Sequence, residues 1–173
     1  MKFGRVLLTV LIALTLQMAL ARFAVGGRWV FDFVLVAVVY GALLWGPAAG
    51  MWIGTLGGLM QDALSEDVIG VGGFAKTVVG FAVGALGLQF MVARPLARAG
   101  AVAAATVVHR LIVVGLWAIA DQDWKGVAWA AVLMETGLNA AAGLTAFHLT
   151  HMLPGAVRHT REGRRSPLSR RRW

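Results

Sequence analysis

The chain lacks cysteine altogether, and among its 173 residues it has only four prolines, one tyrosine and 14% charged residues. Without cysteine, disulfides, thiol catalysis and thiolate metal sites are excluded. The low charge argues against an ordinary soluble domain, in which about a quarter of the residues are charged. Acidic residues are particularly scarce, 8 against 16 basic ones, so the formal net charge is +8.

Apolar residues make up 59% of the sequence, and the mean hydropathy is +0.75. A bilayer core requires roughly 20 apolar residues per helix. The chain shows apolar blocks at about Val6–Ala21, Trp29–Trp45, Pro47–Leu64, Gly70–Val92, Arg98–Ala120 and Gly126–Leu153. We predict an all-α polytopic membrane protein, a compact bundle of six transmembrane helices over residues 1–153. Residues 154–173 are predicted to be a disordered basic tail.

The distribution of Lys and Arg predicts the orientation, because cytoplasmic segments are enriched in both. With six spans, one side of the membrane holds Lys2, Arg5, Arg94, Arg98 and the basic tail. We therefore predict that the N- and C-termini are cytoplasmic. An alternative for the first block is a cleavable signal peptide, because a basic start and an apolar stretch lead to Ala19-Leu20-Ala21.

The basic tail is a predicted contact site for anionic lipid. A dock for an acidic cytoplasmic protein is the alternative, and nucleic acid is not expected because no binding fold accompanies the charge. Its arginines are Arg158, Arg161, Arg164, Arg165, Arg170, Arg171 and Arg172.

Glycines recur at four-residue steps in the third block, and the series ends in a carboxylate. Residues four apart lie on one ridge of a helix, so the repeat forms a nearly bare groove. In a membrane such a groove allows another helix to approach closely. We predict a partner-helix packing face made of Gly46, Gly50, Gly54 and Gly58, with Gly80 and Gly84 on the fourth helix.

Two pairs of charged residues fall within or at the ends of the predicted spans. Arg110 and Glu135 lie at matching depths, roughly 13–15 Å from the outer ends of their helices, so we predict an ion pair that Asn139 and His109 extend. Asp62 and Lys76 form a second predicted pair, facing an outward hollow. For both pairs, a structural lock and a binding site remain alternatives.

No catalytic or metal constellation can be assembled from these residues. The sequence contains no recognisable nucleophile–base arrangement and no phosphate-binding loop after a strand. His148 and His151 are three residues apart, but no carboxylate joins them, so no metal site is predicted. We therefore expect neither an enzyme nor a cofactor.

Several motifs between Asp32 and Gly84 occur in a characteristic combination. They are Asp32-Phe33-Val34-Leu35 with Tyr40, Gly46-Pro47-x-x-Gly50, Gly54-x-x-Gly57-Gly58-Leu59-x-x-Asp62-x-Leu64-Ser65, Gly70 and Phe81. This combination resembles the rod-shape-determining MreD family of small bacterial inner-membrane proteins. Lys76 stands where that family often has an apolar residue.

The resemblance implies a non-enzymatic component of the elongation machinery in the bacterial cytoplasmic (inner) membrane. It implies MreC, RodA, a class B penicillin-binding transpeptidase and the MreB cytoskeleton as partners in peptidoglycan synthesis. It also implies a fold similar to the substrate-binding components of energy-coupling-factor transporters, with Gly54, Gly58, Asp62 and Gly70 on a packing or binding face. Our hypothesis is a scaffold that binds the transmembrane helix of MreC.

The alternative hypothesis is a solute-binding component of a vitamin-type transporter. In that case Asp62, Lys76, Arg110 and Glu135 would line one pocket. A small molecule retained through purification would favour this function.

Overall fold

The structure is a computed structural model that describes residues 3–20, 31–65, 68–89, 95–121 and 127–152. These residues form six α-helices and no strand, which confirms the all-α prediction for the described part of the chain. The helices are α1 (Phe3–Ala19), α2 (Phe33–Trp45), α3 (Pro47–Leu64), α4 (Val71–Gln89), α5 (Pro95–Asp121) and α6 (Trp129–Met152). The basic tail lies outside the described residues, so its predicted disorder and contacts stay predictions.

Local sequence signals set the ends of the central helices. The Asp32 side chain caps α2 by accepting a hydrogen bond from the Leu35 backbone N–H at 2.8 Å. A single residue, Gly46, joins α2 to α3 with a φ of 91°. Such a φ favours glycine, and Pro47 follows as the first residue of α3, where no backbone N–H is needed.

Helix α2 lies at the centre of the bundle and is apolar on every side. It packs on α1 and α3 through one cluster of buried residues that includes Val10, Val34 and Ile53. A second cluster, including Leu35 and Val102, joins it to α4 and α5. A helix that is hydrophobic all round lies in a protein interior or within a membrane.

The exterior of the bundle is apolar, and its mainly apolar interior also contains several buried polar side chains. Large apolar side chains such as Leu88 and Leu96 are more than 70% exposed, whereas Lys76 and Asn139 are buried. This arrangement suits a protein whose surroundings are lipid. By length and composition, α4 over Val71–Leu88 and α5 over Pro95–Ala120 could cross a membrane, and α1 and α2 are apolar but shorter.

Candidate functional site

The glycine ladder of α3 is packed against α4 of the same chain. A Cβ atom added to Gly54 would overlap the backbone of Lys76, and one added to Gly50 would overlap the backbone of Gly80. Near the other end of α3, Gly58 lies against the backbone of Gly73. We call this contact the glycine seam, made of Gly50, Gly54 and Gly58 on α3 with Gly73 and Gly80 on α4.

The expectation that these glycines offer a groove to a partner's helix is wrong, because α4 already fills it. Gly84 likewise packs within the chain, against the backbone of Pro47 at the start of α3. A Cβ on Gly46 itself would meet nothing within 4 Å, so Gly46 contributes only its backbone, which lies beside Gly84, to the packing. Its role is the positive φ that allows the one-residue turn. A four-residue glycine repeat predicts close packing but does not identify the helix that fills it.

Beside the middle of the glycine seam, where Lys76 faces Gly54, a buried ion pair joins α2 to α4. The Lys76 Nζ atom lies 2.9 Å from Oδ2 of Asp32, and both side chains are less than 10% exposed. The same Nζ atom lies 3.3 Å from Nε2 of His109 on α5. An ammonium group only donates hydrogen bonds, so Nε2 accepts in this contact and Nδ1 carries the ring proton. The Asp32–Lys76–His109 cluster thus connects three helices.

The backbone around Asp32 also connects the start of α2 to α6 and to the end of α1. The Asp32 backbone N–H donates to Oδ1 of Asn139 at 2.9 Å, and the Asn139 amide donates to Thr106 Oγ1 at 3.3 Å. On either side of Asp32, the Gln17 side chain donates to the Phe31 carbonyl and accepts from the Phe33 N–H. These bonds satisfy backbone groups that a buried helix N-terminus would otherwise leave unpaired.

The predicted Asp62–Lys76 pair is not formed. Asp62 instead accepts hydrogen bonds from the backbone N–H groups of Gly70, at 2.9 Å, and Gly73, at 3.0 Å. The carboxylate therefore holds the beginning of α4 against the end of α3. A side chain at Gly72 would overlap Oδ1 of Asp62, which explains a glycine at that position. Lys76 pairs with the Asp32 carboxylate instead. The sequence analysis did not identify Asp32 as this partner.

The predicted Arg110–Glu135 pair is present between α5 and α6. Nε of Arg110 donates to Oε2 of Glu135 at 2.5 Å. The two partners differ in exposure: the Glu135 side chain is 6% exposed and the Arg110 side chain 32%. Asn139 and His109 do not extend this pair through hydrogen bonds, because they bond to Asp32 and Lys76 instead. Asp62 is likewise bonded elsewhere, to the backbone N–H groups of Gly70 and Gly73, so it pairs with neither Lys76 nor Arg110.

Sequence reasoning missed the central position of Asp32, which it named only as part of a motif. The missed signal is a carboxylate directly before an apolar run, which marks a helix N-cap. Gln17 was also missed, although a lone amide within an apolar helix needs a polar partner. Among the described residues, no group of three or more His, Asp or Glu side chains is placed to hold a metal ion.

Comparison with known proteins identifies the family. The family model described as rod shape-determining protein MreD matches residues 1–121, more than two thirds of the chain. The matched part includes the glycine seam and Asp32, and it ends before α6. Neither the curated proteins nor the solved structures give a significant match. The chain therefore belongs to the rod shape-determining protein MreD family, membrane proteins with a role in determining rod cell shape.

Proposed function

We propose that this protein is a non-enzymatic scaffold of the bacterial elongation machinery, which binds the transmembrane helix of MreC. Through that contact it supports lateral peptidoglycan synthesis together with RodA, a class B penicillin-binding transpeptidase and the MreB cytoskeleton. Family membership supports the role in cell shape. The proposed location is the inner membrane, with six spans and cytoplasmic termini.

The observation that carries the scaffold proposal is an apolar exterior around a bundle whose buried charges are already bonded. Among the described residues, charged side chains inside the bundle are engaged in ion pairs or hydrogen bonds with other helices, as Lys76 is with Asp32. The outer faces of α4 and α5 instead present large apolar side chains, among them Phe81 and Ile119. Contact surfaces of this kind suit other membrane helices better than polar substrates.

The buried polar groups also fit a structural role better than a catalytic one. Lys76 is fixed between Asp32 and His109, and Asp62 is fixed by two backbone N–H groups. A catalytic acid or base must reach a substrate. Groups that are buried and already hydrogen-bonded stabilise one arrangement of helices instead.

Purification of the tagged protein from native membranes tests this proposal. In mild detergent, MreC should co-purify in a fixed ratio, and RodA and the transpeptidase should be enriched relative to an unrelated six-span protein. Mass spectrometry of bound proteins and small molecules measures both outcomes. Absence of MreC, or a stoichiometric bound solute, would contradict the scaffold function.

The proposed topology can be tested because the chain has no cysteine of its own. A single Ser166→Cys change in the tail should react with a membrane-impermeant maleimide only after the cells are permeabilised. A single Gln122→Cys change, between α5 and α6, should react in intact spheroplasts. The reverse pattern would invert the proposed orientation.

A further inference from the structure

The Arg110 side chain is not enclosed by the described structure. Arg110 lies on α5 roughly 16 Å from the Asp121 end of that helix, and its side chain is 32% exposed. By contrast, the Lys76 side chain on α4 is only 3% exposed. An exposed guanidinium within the hydrocarbon region is costly unless an acceptor meets it.

The guanidinium also has hydrogen-bonding capacity to spare. A guanidinium carries five N–H donors, and in the structure only Nε of Arg110 bonds to Glu135. The four remaining donors are on the two terminal nitrogens. Since Glu135 is nearly sealed, an acceptor that fills these donors must come from the exposed side of Arg110.

The helix surfaces beside this pair are uncovered and low. Leu111 follows Arg110 on the exposed side of α5, and Ala131 is exposed one turn before Glu135 on α6. A Cβ atom added to Gly115, one turn after Leu111 on α5, would meet nothing within 4 Å. We call this surface, centred on Arg110 and flanked by Leu111 and Ala131, the α5–α6 cleft. Small residues at a membrane surface permit close approach of a further helix.

We propose that the α5–α6 cleft binds a single transmembrane helix of another polypeptide, which places a neutral hydrogen-bond acceptor on Arg110. The proposal rests on the scaffold function, for which it supplies the docking face. The charge of the pair decides the chemistry of the partner. Arg110 and Glu135 together are neutral, so Asn, Gln, Ser or Thr would fill the free donors without adding a net buried charge. Apolar contacts with Leu111 and Ala131 complete the interface.

Cysteine cross-linking locates the partner directly, since the chain has no native cysteine. The full-length protein with Ala131→Cys is co-expressed with MreC variants that carry single cysteines along the MreC transmembrane helix. Disulfides should form at MreC positions spaced three to four residues apart. The matched control is Ala82→Cys on the exposed face of α4, which should form none.

The role of Arg110 is tested with the double variant R110L/E135L, because removing one partner alone would leave a buried charge unpaired. The double variant should keep its thermal unfolding midpoint but retain at least tenfold less MreC. Replacing the acceptor of the MreC helix by Leu should cause the same loss, with no further loss in combination. If the double variant does not fold, the cross-linking pattern alone decides.

The outcomes distinguish failure of the proposed docking face from failure of the scaffold function. If MreC co-purifies with the native chain but cross-links at position 82, or at neither position, the α5–α6 cleft is not the docking face and the scaffold function stands. The same holds if R110L/E135L retains all its MreC, or if residue 131 cross-links to a second copy of the chain. If MreC does not co-purify at all, the scaffold function itself fails.

Discussion

The α3–α4 and α5–α6 pairs both carry several glycines, yet they use them in opposite ways. In the α3–α4 pair, Gly50 and Gly54 face the backbone of the opposite helix so closely that no side chain would fit. In the α5–α6 pair, Gly143 packs against the Val102 side chain, but Gly115 and Gly137 face open space. The first pair is held together inside the chain, and the second leaves low surfaces uncovered. Glycine content therefore indicates how closely another helix could approach. It does not show whether a neighbouring helix is in contact.

The largest difference in stability between the two pairs is expected when a glycine of each pair is replaced by leucine. Gly54→Leu should cost at least about 3 kcal/mol, because backbone cannot move aside for the new side chain as a flexible side chain would. Gly115→Leu should change stability by less than about 1 kcal/mol, because its side chain enters open space. Tryptophan fluorescence during thermal unfolding in detergent measures both variants. Equal midpoints would show that the glycine seam is not tightly packed.

The next largest effect tests whether the glycine seam depends on charge as well as on small residues. Lys76→Met should destabilise the protein by about 3–5 kcal/mol, because it leaves the buried Asp32 carboxylate unpaired. Adding Asp32→Asn should recover most of this loss, since an amide can still cap α2. The unfolding midpoints of the single and double variants give the comparison. A single variant as stable as the native chain would show that the pair is unimportant.

A smaller effect is expected at the loop that closes the α3–α4 pair. Asp62→Ala should cost about 1–3 kcal/mol, because the N–H groups of Gly70 and Gly73 lose their acceptor. The control is Ser65→Ala, which removes a hydroxyl bonded only to the Gln61 carbonyl. Since the Ser65 N–H also bonds to that carbonyl, the control should change stability by at most about 0.5 kcal/mol. Limited proteolysis of the loop and thermal unfolding would distinguish the two variants.

The smallest predicted effect has the opposite sign and concerns the open pair. Gly115→Ala should stabilise the protein by up to about 1 kcal/mol, because alanine favours the helix and its methyl group meets nothing within 4 Å. Gly137→Ala on α6 should behave in the same way. An increase in the unfolding midpoint of the purified protein is the expected result. A clear decrease would show that this surface is already covered.

Patterns along the chain predicted the helices well because each signal is local. The bounds of α3 follow from Pro47 at its start, and apolar blocks mark the other helices. Matched depth also predicted the partner of Arg110, because α5 and α6 are neighbours in sequence. Both predictions needed only helix geometry and chain order.

The partners of Asp62 and Lys76 could not be obtained in the same way. Both residues lie near the same loop, so proximity in sequence favoured pairing them. The choice was decided by the rotation of α4 about its axis, which aims Lys76 towards the start of α2. Such rotation depends on the packing of the whole bundle, and one sequence does not contain it. For the same reason, the sequence did not show that α4 fills the glycine groove.

The many attachments of Asp32 have a consequence for biogenesis. Ribosomes deliver α2 before α4, and α4 before α6, so this carboxylate reaches the translocation machinery ahead of its lysine and its asparagine. Until α4 emerges, the charge must stay hydrated at the membrane border or be protonated. Final seating of α2 is therefore a late event, and a nascent chain halted before α4 would remain open to quality-control proteases.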